Sequence, residues 1–228
     1  MSSKAAPLDS RQRRRLDTIE EVLDIAVELM AEQGVAGLSV GEIARRMGIQ
    51  PPSLYVYFPS KAALYDALFA RGAQSVLDTM TRYRASGEAG GDLESQLRSS
   101  ARAFLSWCLD HQAYSQLLFW RPVPGFTPSS DAYAPAVRLI ELSRQWLVDM
   151  QDDGLLRADV DVDEVLRDWT VVTSGIFSQQ VSNAPQDGLD TGEFTAALPS
   201  LVAMFAQHYG TATRSARPNR SARHADPH

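Results

Sequence analysis

Between residues 39 and 61 the chain is punctuated so densely that only very short helices fit. Ser39-Val-Gly-Glu42 reads as a capping box, in which the two side chains satisfy free backbone N–H groups at a helix start. That helix ends at Gly48, which can take the positive φ of a tight turn because it has no Cβ. Pro51-Pro52 then suits a first helical turn, where the missing N–H has no partner to lose. A second short helix over residues 52–58 is closed by Pro59, and Ser60 caps a longer helix over residues 61–83. Ile43, Ala44 and Met47 form the inner face of the first short helix. Ala44 is small where the second crosses it, and Ile49 and Leu54 plug the angle between them. Leu54 and Phe58 therefore belong to the core. Two short helices around a three-residue glycine turn make a helix-turn-helix.

The rest of the chain has helical spacing and no strand pattern, since no segment alternates apolar and polar residues for long. Helices are expected over residues 18–33, 92–110, 114–120, 131–153, 161–181 and 193–209, with Gly34, the 87–91 stretch and Gly154 as stops. Thr18-Ile-Glu-Glu21 resembles a capping box for the first. The predicted fold class is all-α, with about nine helices. Residues 1–15 read as a flexible basic arm and 16–65 as the three-helix, helix-turn-helix unit. Residues 66–209 read as a helical ligand-binding and dimerisation domain, and 210–228 as a disordered tail.

Composition narrows the function classes. A single cysteine, Cys108, forms no internal disulfide and supports no cysteine-based zinc site. Two of the four histidines lie in the last five residues, so no metal centre is expected. His111 reads as a helix-end residue near carbonyls. The Asp159-x-Asp161-x-Asp163 run lacks the glycine and closing glutamate of a calcium loop and reads as a capped turn. There is no glycine-rich phosphate loop, no G-x-S-x-G and no H-E-x-x-H, so neither enzyme nor cofactor is expected. No apolar run reaches the roughly 18 residues of a membrane span, and no signal-peptide pattern opens the chain; the expected location is the cytoplasm.

The net charge is −6, which by itself disfavours a nucleic-acid partner, but it is unevenly placed. Residues 1–71 carry nine basic and nine acidic groups, whereas 72–209 carry nine basic and eighteen acidic ones. An N-terminal contact with double-stranded DNA is therefore compatible with the charge. The helix that would enter the major groove presents Pro51, Pro52, Ser53, Tyr55, Val56 and Tyr57. Ser53 can hydrogen-bond, the prolines and Val56 can meet thymine methyls, and the tyrosines can reach bases or phosphates. Ser39 and Lys61 suit phosphates, which position a protein without reading sequence. Lys4, Arg11, Arg13, Arg14 and Arg15 could follow the backbone or minor groove. Arg45 and Arg46 read as a solvated helix face.

The C-terminal part holds most of the aromatic residues. An apolar pocket for a small, largely apolar effector is expected among Phe104, Trp107, Tyr114, Trp120, Phe126, Trp146, Trp169, Thr173 and Phe177, with Ser174, Gln179 or Asn183 as further polar groups. The helices near 162–181 and 193–209 are apolar over a wide arc, as a homodimer interface requires. A competing reading is a ligand-binding or protein-interaction module whose helix-turn-helix is only structural.

Ile43-Ala44-x-x-Met47-Gly48-Ile49, followed by Ser53-Leu54-Tyr55-x-Tyr57-Phe58-Pro59-Ser60-Lys61-x-x-Leu64, resembles the DNA-binding domain of tetracycline-repressor-type (TetR family) transcriptional regulators. The resemblance covers residues 16–65. It implies a homodimer of nine-helix subunits, binding to a palindromic operator, and release by a small ligand held in the C-terminal domain. The chain departs from the family pattern at Gly41, where a basic residue is usual, and at Pro51-Pro52, where a polar and then a small residue are usual.

Overall fold

The computed structural model describes residues 9–87 and 90–211. The expectations for Lys4 and for the arginine-bearing tail after Thr211 lie outside these residues. Among the described residues there are nine α-helices and no strand beyond one isolated bridge between Leu156 and Gly210.

Helix α1, Ser10–Gln33, starts eight residues before the position expected from Thr18. The reason is a cap that outcompetes Thr18. Asp9 accepts from the N–H groups of Arg11 (2.7 Å) and Gln12 (2.8 Å), and the Gln12 side chain accepts from Asp9 N–H at 3.1 Å. Thr18 is mid-helix and donates to the Arg14 carbonyl at 2.9 Å. Arg11, Arg13, Arg14 and Arg15 thus form the first two turns of α1 rather than part of a flexible arm. The helix buries Val22, Leu23, Ala26, Leu29 and Met30, and ends at Gly34 with φ +79°.

Helices α2 (Val40–Arg46) and α3 (Pro51–Leu54) follow. The expected helix over 52–58 is only four residues long. Pro59 disfavours helical geometry at Phe58, and the N–H groups of Tyr57 and Phe58 both turn back to the Leu54 carbonyl at 2.9 Å. Ser60 caps α4, Lys61–Ala85, by accepting from Ala63 N–H at 3.0 Å. Helix α5 is Leu93–Asp110 and α6 is Gln112–Ser115. The expected helix over 114–120 is instead the end of α6 running into a π-turn over Gln116–Trp120, closed by Arg121 in the left-handed region at φ +47°. Helices α7 (Ser130–Asp152) and α8 (Val162–Asn183) lie close to expectation. Asp161 caps α8 by accepting from Asp163 N–H at 2.9 Å, the capped turn read from the sequence. Helix α9, Leu198–Tyr209, starts five residues later than expected. The buried Gln180 carboxamide oxygen accepts from Phe194 N–H (3.1 Å) and Thr195 N–H (3.3 Å), which holds that stretch, a turn followed by the short 3-10 helix Thr195–Ala197, against α8.

Helices α1 to α3 and the first half of α4 enclose Leu38, Ile43, Ala44, Leu54, Phe58, Leu64 and Leu68. Tyr65 sits in the same core and donates its hydroxyl to the Val35 carbonyl at 2.7 Å. At about 1.5 Å per residue, α4 is roughly 37 Å long, and its second half packs against α5 and α7. Cys108 is buried in α5, and burial pushes its thiol pKa up to about 12.

Helices α4 and α6 approach closely at Gly72. A Cβ built on Gly72 would lie 2.6 Å from Tyr114 Cδ1, well inside van der Waals contact. Glycine is therefore required there for lack of bulk. Gly72→Ala should displace the Tyr114 ring and lower the unfolding free energy by about 1–3 kcal/mol, the usual range for overpacking. Denaturant titration with an unchanged m-value checks this.

Candidate nucleic-acid interface and effector cavity

The cap on α2 is Ser39, whose hydroxyl oxygen accepts from Glu42 N–H at 3.4 Å. Gly48 takes φ +67° in the turn, as the sequence requires. The turn is also pinned by Ile49 N–H donating to the Ala44 carbonyl at 3.0 Å. Burying Leu54 and Phe58 forces the remaining side chains of the segment outward. Pro51, Pro52 and Ser53 are exposed, as are Tyr55 (49%) and Val56 (67%). Tyr57 is half-buried under the Arg15 guanidinium, 5.3 Å from its ring centroid. The Lys61 ammonium lies 5.6 Å from the Tyr65 ring. Ser39, Pro51, Pro52, Ser53, Tyr55, Val56, Tyr57 and Lys61 therefore lie around one helix-turn-helix, and Leu54 beneath them locks their orientation.

Arg46 departs from the solvated face expected of it. It pairs with Glu32, with Glu28 (3.6 Å) and with Glu42 (3.4 Å), so it ties α2 to α1. Arg45 pairs with Glu42 at 2.6 Å and is otherwise exposed. The hydrogen bond from Arg45 is the main reason that the Glu42 carboxyl is held down to about 2; partial desolvation opposes it, and Arg46 assists.

The second site is a cavity of about 420 Å³ between α4, α5, α7, α8 and the π-turn. Its wall is mostly apolar. Phe104, Trp146, Trp169 and Thr173 line it, as the sequence suggested. Phe69, Ala73, Val76, Met80, Leu118, Phe119, Tyr133, Leu139 and Ile140 also line it and were not singled out. Phe69 through Met80 could have been found from the length of the fourth helix, which carries them past the core of the N-terminal unit. The wall hydroxyls of Ser100, Ser143, Thr170 and Thr173 turn back to carbonyls of their own helices. The Arg121 guanidinium sits 5.8 Å from the Tyr133 ring at the edge of this space.

Five of the expected pocket residues are elsewhere. Trp107 donates its indole N–H to Ser75 at 3.0 Å and stacks on His111. Tyr114 fills the space above Gly72. Phe126 packs on Tyr65, 5.6 Å between centroids. Trp120 and Phe177 pack on each other at 5.8 Å. Trp107, Phe126, Trp120 and Phe177 each found a partner ring or hydrogen bond elsewhere and Tyr114 a place against Gly72, and helical spacing alone carries no information about that choice. Gln179 and Asn183 bond to one another at the surface at 3.1 Å, and Ser174 donates to the Thr170 carbonyl. His111 is a helix-end residue, with Nδ1 3.0 Å from the Trp107 carbonyl.

The two sites are mechanically adjacent. The π-turn supplies Leu118 and Phe119 to the cavity, and α6, continuous with it, supplies Tyr114 to α4. Arg71, next to Gly72, pairs with Asp24 and with Glu20 (3.4 Å) of α1. The Tyr114 hydroxyl is buried without a hydrogen-bond partner, and burial pushes its pKa up to about 12. Among the described residues no cluster of three or more candidate metal ligands occurs, and no helix is long and apolar enough to cross a membrane.

Comparison with known proteins supports this geometry. Residues 22–68 match the family model of bacterial regulatory proteins, tetR family. The chain is 38% identical over 85 residues to the class D tetracycline repressor protein of Escherichia coli, a match covering 37% of each chain. It is 30% identical over 128 residues to the HTH-type transcriptional regulator Rv1816 of Mycobacterium tuberculosis, covering 54% of each. The matched segments thus span between about a third and a half of these relatives. The whole fold resembles that of a bacterial regulatory protein in the tetR family from Rhodococcus RHA1, with a TM-score of 0.63 at 17% identity, covering 86% of this chain and 98% of that one.

The charge network beneath the helix-turn-helix makes a pH prediction. The Glu42 pKa is depressed in the fold from its ordinary 4.5 to about 2. Its stabilising contribution is therefore complete above pH 4.5 and is lost as pH falls towards 2. Wild type should unfold at higher denaturant than Glu42→Gln at neutral pH, with the gap closing over that acid range.

Proposed function

We propose that this chain, which belongs to the tetR family of bacterial regulatory proteins through its residues 22–68, is a ligand-responsive, DNA-binding transcriptional repressor. The observation that carries this reading is that one helix, α4, is shared between an exposed helix-turn-helix ridge and an apolar cavity. A ridge of Ser53, Tyr55, Val56 and Tyr57 on a rigid support suits base edges in a major groove. Ser39 and Lys61 flank it and suit phosphates. A cavity of this size and polarity suits a small, largely apolar effector.

The protein acts as a homodimer on a palindromic operator. Val171 of α8 and Met204 of α9 are each 65% exposed, large apolar side chains on helices that otherwise bury such groups. An isologous pairing of these two helices would cover them. It would set two α3 segments about 34–36 Å apart, or a multiple of that, to meet grooves on one side of a duplex. Occupancy of the cavity acts on the π-turn through Leu118 and Phe119. The movement passes through Tyr114 to Gly72 and so to the tilt of α4, which sets the spacing. The effector lowers operator affinity to the extent that it prefers the wrongly spaced arrangement.

Gel-shift titration against the DNA upstream of the protein's own gene tests this. Wild type should prefer that DNA to random duplex at moderate salt. Tyr55→Ala should abolish the preference in a chain that remains folded and dimeric. Lys61→Ala should weaken binding to all sequences and reduce the salt dependence by about one phosphate per subunit. Unchanged binding by both folded variants would leave the helix-turn-helix a structural element only.

A further inference from the structure

Helix α1 begins two turns before the core of the N-terminal unit needs it. Its first eight residues add about 12 Å of helix ahead of Thr18, stabilised by the Asp9 and Gln12 caps rather than by burial. This overhang carries four arginines, and their placement around the helix is not uniform. At 100° per residue, Arg11, Arg14 and Arg15 fall within an arc of about 100°. That arc continues the direction of Val22 and Leu29, both fully buried in the core of the N-terminal unit. Arg13 points the opposite way, along the line of Asp9, Asp17, Glu20 and Asp24. The basic face thus overhangs the same side of α1 on which the ridge lies. The Arg15 guanidinium resting 5.3 Å from the Tyr57 ring shows that the two surfaces meet. Arg11, Arg14 and Arg15 are exposed and form no ion pair with a carboxylate among the described residues, whereas Arg45, Arg46 and Arg71 in the same unit do.

We infer that the Arg11–Arg14–Arg15 face is a second, sequence-independent DNA contact, a helical clamp on the phosphates flanking the groove that the ridge enters. The inference rests on the DNA-binding reading above. A rigid clamp differs physically from a flexible arm, because the helix fixes the three charges before binding and little ordering entropy opposes the contact. Arginine suits the role, since its planar fork meets phosphate oxygens in pairs. The clamp also answers an electrostatic problem. Residues 72–209 carry eighteen acidic and nine basic groups, a field that repels DNA, and a concentrated basic face beside the ridge offsets it locally. The ridge carries no cation of its own and Lys61 flanks it, so most of the counterion release falls to α1.

The test is the slope of log binding constant against log salt on a short random-sequence duplex, where phosphate contacts dominate. The full-length chain is compared with three variants. Arg11→Gln with Arg14→Gln keeps a good helix former at both positions, and circular dichroism checks that helix content is retained. In a dimer the pair removes four phosphate contacts, each worth about 0.9 in slope, so the slope should fall by about three to four. Arg11→Lys with Arg14→Lys should restore most of it. Arg13→Gln removes the same unit charge from the outer face and should leave the slope at the wild-type value. A double glutamine variant with wild-type slope, or an Arg13 variant that loses as much slope per charge, overturns the clamp while leaving DNA binding by the ridge intact. Wild type with no salt-dependent binding to either this duplex or the upstream DNA overturns the DNA-binding reading and the clamp with it.

Discussion

Helix α4 belongs to two cores at once, and the rest of the architecture follows from that. Its first half closes the N-terminal unit with Leu64, Tyr65 and Leu68, and its second half gives Ala73, Val76 and Met80 to the cavity wall. A continuous helix is stiff along its hydrogen-bonded length. A shift at one end is therefore delivered to the other as a tilt rather than absorbed in a linker. Gly72 sits near the middle, where the Tyr114 ring leaves no room for a side chain.

Strain concentrates opposite that point. The segment after α6 is a π-turn ending at Arg121, a non-glycine residue in the left-handed region, directly before Pro122. Such conformations cost of order 1 kcal/mol and persist only when the surroundings hold them. Here Leu118 and Phe119 are held by the cavity wall and Arg121 by the Tyr133 ring. The segment thus borders both the cavity and, through α6, helix α4. Arg71 and its carboxylate partners Asp24 and Glu20 tie the same stretch of α4 to α1.

The helix-turn-helix is organised by burial of very few residues. Leu54 and Phe58 are drawn inward, and the chain between them must expose Tyr55 and Val56. Large exposed apolar side chains in a short rigid segment carry a solvation cost in the free protein, which the proposed contact with a groove would relieve. Beneath the ridge, Arg46 bridges α2 to α1 through Glu28, Glu32 and Glu42. This network holds the support of the ridge by charge where the small N-terminal core leaves it thin.

The sequence by itself determined the all-helical class, the helix-turn-helix and the inward positions of Leu54 and Phe58. These depend on local chemistry: caps, glycine turns, proline stops and the 3.6-residue period. The start of α1 differs from the position read at Thr18 because the Asp9 and Gln12 side chains cap the helix two turns earlier. α3 stops short of Phe58 because Pro59 disfavours helical geometry there and the N–H groups of Tyr57 and Phe58 turn back to the Leu54 carbonyl. The cavity was legible only in outline. Phe104, Trp146, Trp169 and Thr173 reach it, while Trp107, Tyr114, Trp120, Phe126 and Phe177 pack elsewhere. An aromatic stripe records that a face is buried. Which neighbour buries it depends on how non-adjacent helices cross, and only the tertiary structure decided that.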